Sequence, residues 1–203
     1  MDATQDRNRP LRAVMEMAER MMLRLNGCAD VMVARALIDA FREFCDRSEV
    51  WRDWVCLSAR DAEGCCCQGR WRAYLPCVPA GCHVKSVFGV RADGREVPRR
   101  HWSFTDGACG GWVEVDGTWL SLGEVRRLEA WVSFVPDDDN EDIPRWMVQR
   151  WGGVIRSGAL YRLFAMDGKA WSDATQARLE LEAWNAGVSE AAYAGMGAAG
   201  ANE

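Results

Sequence analysis

No window of this chain approaches the roughly 18 consecutive apolar residues that a membrane-spanning helix needs, and its start, MDATQDRNRP, has no apolar core of the signal-peptide kind. Lysine is almost missing: Lys85 and Lys169 are the only two, the remaining basic residues being scattered arginines. With a formal charge of -5 and no basic cluster, the sequence argues against a protein that wraps nucleic acid by neutralising phosphates. Histidine is equally scarce, with His83 and His101 alone and no recognisable partner arrangement for either. There is no C-x-x-C pair to bring two thiolates to one tetrahedral ion, so Cys65, Cys66 and Cys67, and Cys77 with Cys82 and His83, make a poor zinc site. In a reducing compartment such cysteines serve as small buried apolar residues or spare thiols, and the chain is expected to fold in a cytoplasm.

Catalytic signatures are missing as well. No G-x-S-x-G elbow occurs, and Gly168-Lys169-Ala170 has neither the upstream glycine nor the hydroxyl of a phosphate loop. Gly107, Gly110 and Gly111 belong in a β-hairpin loop without the following helix of a dinucleotide fingerprint. The acidic run Asp137, Asp138, Asp139, Glu141 and Asp142 fails as an EF-hand, because counting from Asp137 puts Asp142 where glycine is required and Val148 where glutamate is required. The chain reads as a non-enzyme with no cofactor.

What is present is tryptophan. Eleven Trp against three Tyr and six Phe, in 203 residues that are 49% hydrophobic, exceed what a small core needs. Some of these rings are expected at an interface. Apolar residues Val14, Met17, Ala18, Met21, Met22 and Leu25 repeat at three and four, predicting a helix over Leu11 to Leu25 that stops at Asn26-Gly27. A second helix starts at Asp30 as its N-cap and buries Ala34, Leu37, Ile38, Phe41, Phe44 and Cys45.

From Trp51 to Phe134 the period changes to two. Trp71, Ala73 and Leu75; Val84, Phe88 and Val90; Val113 and Val115; and Leu128, Ala130, Val132 and Phe134 mark strands, with hairpin turns at Asp93-Gly94 and Asp116-Gly117. Helix then returns: Asp142 caps, Pro144 takes the first turn, and Trp146, Met147, Trp151, Val154, Ile155, Gly158, Leu160 and Leu163 give a broad apolar arc. Gly168 breaks the chain in a left-handed conformation and Ser172 caps a last helix with Ala177, Leu181, Trp184, Val188 and Ala191 on one face. The expected fold is therefore α+β: a discontinuous helical bundle (11–50 and 142–195) with an antiparallel β sandwich or barrel inserted at 51–141, and flexible termini at 1–10 and 196–203.

Two segments, ALIDAFREFCDRSEVWRDW from Ala36 to Trp54 and VPDDDNEDIPRWMVQRWGGVIRSGALYRLFAMDGKAWSD from Val135 to Asp173, resemble the head-to-tail adaptor (connector) proteins of tailed bacteriophages, podovirus type. The likeness is specific at Phe44, Cys45, Trp51, Pro144, Trp151, Gly158, Ala159, Leu160, Leu163 and Trp171, covers under a third of the chain, and flanks a β region that matches nothing in the family. A longer first helix departs from the family's short leader.

The resemblance implies a virion protein in the neck of a phage. It would form a homo-oligomeric, dodecameric ring between the portal protein and a tail nozzle or tail-tube component, with transient passage of double-stranded DNA and no membrane. It implies a C-terminal tail, Gly195, Met196, Gly197, Ala198, Ala199, Gly200, Ala201, Asn202 and Glu203, that docks on the portal. On the residues' own chemistry, Arg145, Trp146, Arg150 and Trp151 are candidates for the subunit interface, and Asp137, Asp138, Asp139 and Glu141 for an acidic band lining the channel. The competing class is a β module that reads a carbohydrate or host surface through exposed tryptophans.

Overall fold

The computed structural model describes residues 9–57, 70–75, 78–105, 111–116, 127–138, 140 and 143–198. The chain divides into two compact units, Met1–Ser48 with Asp139–Glu203, and Glu49–Asp138. The fold is α+β, with helices at both ends of the chain and antiparallel sheets between them in sequence.

The first unit contains α1 (Arg9–Met22), α2 (Asp30–Ser48), α3 (Arg145–Phe164) and α4 (Ala174–Ala198). α3 is the central helix, packed against α1, α2 and α4, which accounts for apolar residues around so much of its circumference. Its buried face comprises Met147, Trp151, Gly152, Ile155, Gly158, Ala159, Leu160, Leu163 and Phe164. Against it lie Phe41, Phe44 and Cys45 of α2 and the fully buried Trp184 of α4.

Two glycines set how closely α3 and α4 approach. A Cβ on Gly158 would stand 2.5 Å from Cε3 of Trp184, and one on Gly187 would stand 2.4 Å from a Val154 methyl. Each glycine is thus the socket for a large side chain of the facing helix. Arg162 ties the bundle's edge by bonding to the Gly158 carbonyl and to Glu43, and Arg24 reaches Glu180 at 2.6 Å and Gln176 at 2.9 Å.

Helix ends differ in detail from the pattern expected of the sequence. α1 stops at Met22, followed by turns through Gly27 at φ 81°. Asp30 is the first residue of α2 and not its cap: the Ala29 carbonyl accepts from the amides of Met32 and Val33 at 2.9 and 3.3 Å. Val33, absent from the expected face, is fully buried. Pro144 occupies the N-cap of α3, with its carbonyl accepting from Met147 and Val148, while Asp142 lies outside the described residues.

α3 ends at Phe164, and the left-handed Gly168 (φ 70°) sits in the loop beyond. Asp173, not Ser172, caps α4, its carboxylate accepting from the amides of Thr175 and Gln176 at 2.9 and 3.0 Å. Ser172 instead closes the loop between Lys169 and Met166. Both neighbours are good caps by composition, and only the geometry of the loop decides which carboxyl or hydroxyl reaches the orphan amides. Leu181 turns outward at 38% exposure, so the buried stripe of α4 is Trp184, Gly187, Val188, Ala191 and Gly195.

The second unit holds seven strands among the described residues: β1 (Arg52–Leu57), β2 (Arg70–Tyr74), β3 (Cys82–Ala92), β4 (Arg95–Glu96), β5 (Trp102–Thr105), β6 (Trp112–Asp116) and β7 (Leu128–Pro136). They form two antiparallel sheets, β1-β7-β3-β4 and β2-β6-β5. One apolar core takes Val55, Val84, Val90, Ala130, Val132 and Phe134 from the first sheet and Ala73, Trp102, Val113 and Val115 from the second. Among the described residues the unit is therefore two sheets packed face to face as a sandwich.

The Asp93-Gly94 turn is as expected for a type I′ hairpin, with φ of 49° and 79°. Gly117 of the expected Asp116-Gly117 turn lies outside the described residues; β6 pairs with β2 and β5, both earlier in the chain, and β7 belongs to the other sheet. Phe88 also departs from the expected inward set. Eleven residues of β3 face nine of β7 through two bulges, between Val84 and Ser86 and between Val87 and Gly89, which throw Lys85 and Phe88 out of the alternation. Phe88 is consequently 37% exposed.

Candidate interaction surfaces

The first two turns of α3 present one face to solvent. Arg145, Trp146, Gln149 and Arg150 are exposed, while Met147 and Trp151 point inward. Trp146 is 42% exposed, unusual for so large a ring, and neither Arg145 nor Arg150 forms an ion pair with a described residue. α3 carries four arginines and no acid, and two of them, Arg145 and Arg150, lie on this face. Trp151 must be removed from the interface candidates. It is 5% exposed, its ring centroid 5.7 Å from that of Phe44, and Arg150 lies over its outer side at 5.2 Å.

The acidic candidates are divided. Asp137 is already engaged, its carboxylate 2.7 Å from Nδ1 of His83 and its amide donating to the Gly81 carbonyl at 2.8 Å. Asp138 is exposed. Asp139 and Glu141 lie outside the described residues.

The C-terminal candidates are divided too. α4 runs on through Ala198, so Gly195 to Ala198 are helical where a flexible tail is expected from 196. Gly195 is buried. A helix already nucleated and packed for five turns extends into Gly and Ala at little cost, although that composition would not fold alone. Ala199, Gly200, Ala201, Asn202 and Glu203 lie outside the described residues.

Both histidines have carboxylate partners that sequence patterns do not reveal, because each pair joins residues far apart in the chain. His101 Nδ1 is 3.4 Å from Asp116 Oδ2, and Arg100 Nε donates to His101 Nε2 at 3.0 Å. Since a guanidinium nitrogen only donates, Nε2 must accept, and the ring proton sits on Nδ1 facing Asp116. The pair lines an open cleft with Arg100, Ser103 and Glu114. With both ring nitrogens engaged, the imidazole bridges β6 and the 3-10 turn Arg99–His101.

A third surface escapes the sequence patterns because strand register is invisible in them. On the outer side of the four-stranded sheet, Trp54 of β1 sits directly opposite Trp131 of β7, with ring centroids 5.4 Å apart. Gly89 of β3 lies on the other side of Trp131. The Arg91 guanidinium covers the Trp54 ring at 4.0 Å and that of Arg52 covers Phe88 at 3.9 Å. Burial pulls the Arg52 guanidinium below its ordinary range, with Glu49 acting the other way. Arg127 and Glu129 pair with each other at 2.7 Å at one end of the face.

Among the described residues no group of three His, Cys, Asp or Glu side chains could hold a metal ion, and Cys65, Cys66, Cys67 and Cys77 lie outside them. No described helix is long and apolar enough to cross a membrane. The chain matches no protein-family model and no curated protein.

Proposed function

We propose that this protein is a structural subunit that assembles with copies of itself into a ring joining a phage portal to its tail. In that role it extends the DNA channel, docks a nozzle or tail-tube component, folds in the bacterial host's cytoplasm and ends in the neck of the virion. The observation that carries this reading is the exposed face of α3. Trp146 stands at the centre of Arg145, Gln149 and Arg150 on a helix whose opposite side is bundle core. Trp and Arg are the residues that dominate interface hot spots, and here both project from a rigid support.

The sequence resemblance to podovirus-type adaptors supplies the kind of assembly. The net charge of -5 suits a channel along which DNA must slide without being held. In a ring the Trp146 face of one copy meets a different patch on the next, a heterologous contact that closes only if the rotation is right. The glycan-binding alternative draws on exposed tryptophan faces, and Arg91 already covers that of Trp54.

The test is Trp146→Ala, examined by analytical ultracentrifugation and by electron microscopy of the protein mixed with portal rings. The expected result is loss of ring formation with thermal stability unchanged to within about 0.5 kcal/mol. Rings that form normally from the variant would refute the assignment of this face. Removal of 199–203 is the matching test of portal docking, since cutting at 195 would also remove a buried residue.

A further inference from the structure

α4 has two apolar sides, and the bundle uses one of them. Trp184, Gly187, Val188, Ala191 and Gly195 face inward, while Leu179, Ala183, Ala186 and Tyr193 run along the opposite side, all exposed. Leu179 is 48% and Tyr193 72% exposed, placing large side chains at the two ends of a stripe about 21 Å long. Two acids stand within it, Glu182 and Glu190, four residues on either side of Ala186. Glu182 reaches Arg178 at 4.0 Å with both side chains well exposed, and Glu190 has no ion pair with a described residue.

This side of α4 complements the exposed face of α3, which belongs to the same compact unit. On α3 a large ring, Trp146, has Arg145 and Arg150 beside it; on α4 a small residue, Ala186, has an acid on either side. Gly153 lies two turns beyond Trp146 on the same arc, and a Cβ there would meet nothing within 4 Å, so a second helix can come close. The arginines are five residues apart and the acids eight, a difference of about 4.5 Å along a helix that arginine side chains can span. Pairing either face with its own copy would instead set arginine against arginine or glutamate against glutamate.

We infer that the outer side of α4 is the patch on the next copy that receives the Trp146 face, with the indole over Ala186 and the two arginines reaching Glu182 and Glu190. The inference rests on the ring assembly proposed above and names its second surface. Two different faces on one rigid unit make a head-to-tail contact, in which every copy uses both.

The test mixes two full-length variants, each with one face spoiled. Trp146→Ala removes the α3 knob and Ala186→Arg blocks the α4 socket; both positions are exposed, so both variants should melt like the wild type. In analytical ultracentrifugation each alone should stay monomeric, and the two together should form a dimer and nothing larger, because a mixed pair retains one intact interface. Glu190→Arg should weaken assembly about tenfold or more, and Arg150→Glu added to the same chain should recover most of the loss. If the wild type forms rings and Ala186→Arg forms them too, or the mixture stays monomeric, the α4 assignment falls while the ring reading stands. Wild-type protein that remains monomeric, with portal rings as without them, overturns the ring reading and this inference together.

Discussion

Gly158→Ala is expected to destabilise the helical unit even though alanine is the better helix former. In an open position on a helix the change gains about 1 kcal/mol. At Gly158 the added methyl carbon would lie 2.5 Å from Cε3 and 2.6 Å from Cζ3 of Trp184, well inside van der Waals contact. The indole cannot swing aside, because Trp184 is fully buried and its ring centroid lies 6.0 Å from that of Phe44. Relief therefore requires α3 and α4 to separate, an overpacking cost of about 1–3 kcal/mol that outweighs the propensity gain. Gly153, on the same helix, is exposed, and a methyl added there would meet nothing within 4 Å, so Gly153→Ala should stabilise by about 1 kcal/mol. The propensity gain is common to both variants, so they should differ by the overpacking cost, about 1–3 kcal/mol, or about 2–12 °C in Tm, when unfolding is followed by circular dichroism at the helical band. Trp184→Leu opens the socket, and in that background Gly158→Ala should lose most of its penalty, giving a coupling energy that identifies the contact. If Gly158→Ala and Gly153→Ala shift stability in the same direction, the close approach of the two helices is wrong.

Asp173→Ala should cost about 1 kcal/mol by orphaning the amides of Thr175 and Gln176, with Asp173→Asn close to wild type in urea denaturation, whereas capping by Ser172 would make the Asp173 change silent. Burial, and secondarily Asp30, pushes the Cys28 thiol above its ordinary 9.0. The folded state thus holds this proton more tightly than the unfolded chain, so the contribution of Cys28 is intact below pH 9.0 and is lost as pH rises above it. Alkylation at about pH 8 followed by peptide mapping should accordingly label exposed Cys56 well before Cys28, and equal labelling would contradict the burial. Gly94→Ala should cost about 1 kcal/mol, because its φ of 79° lies in the left-handed region, and a neutral result in thermal melts would argue against the type I′ turn.

How much of the structure is legible in the sequence follows how far apart the interacting residues are. Helices α1 to α4 are legible because their periodicity and stop signals are local, and Gly158 and Trp184 are visible as a small residue and a large one, though not as partners. The N-caps differ by one or two residues from those expected at Asp30, Asp142 and Ser172 for a common reason: adjacent residues compete for the same orphan amides, and φ and ψ decide between them. Trp151 is a plausible interface residue by spacing alone, because spacing does not say which arc of α3 the other helices cover. With α1, α2 and α4 all packed on it, the arc through Trp146 and Arg150 is the one left open among the described residues.

The sheet face is the harder case, and its physical cause is specific. Inward and outward positions on β3 alternate from Val84 only until a bulge resets them, and two bulges in eleven residues restore the original parity at Val90 while inverting what lies between. A strict period of two would bury Phe88 and expose Val87. The structure pairs Val87 with Val132 on the core side, gives Gly89 to Trp131 on the outer side and leaves Phe88 beneath Arg52. The bulges therefore make the surface as well as bend the strand. They place a glycine beside two tryptophans and a guanidinium-capped phenylalanine next to it, an arrangement that an unbulged β3 of the same sequence would not produce.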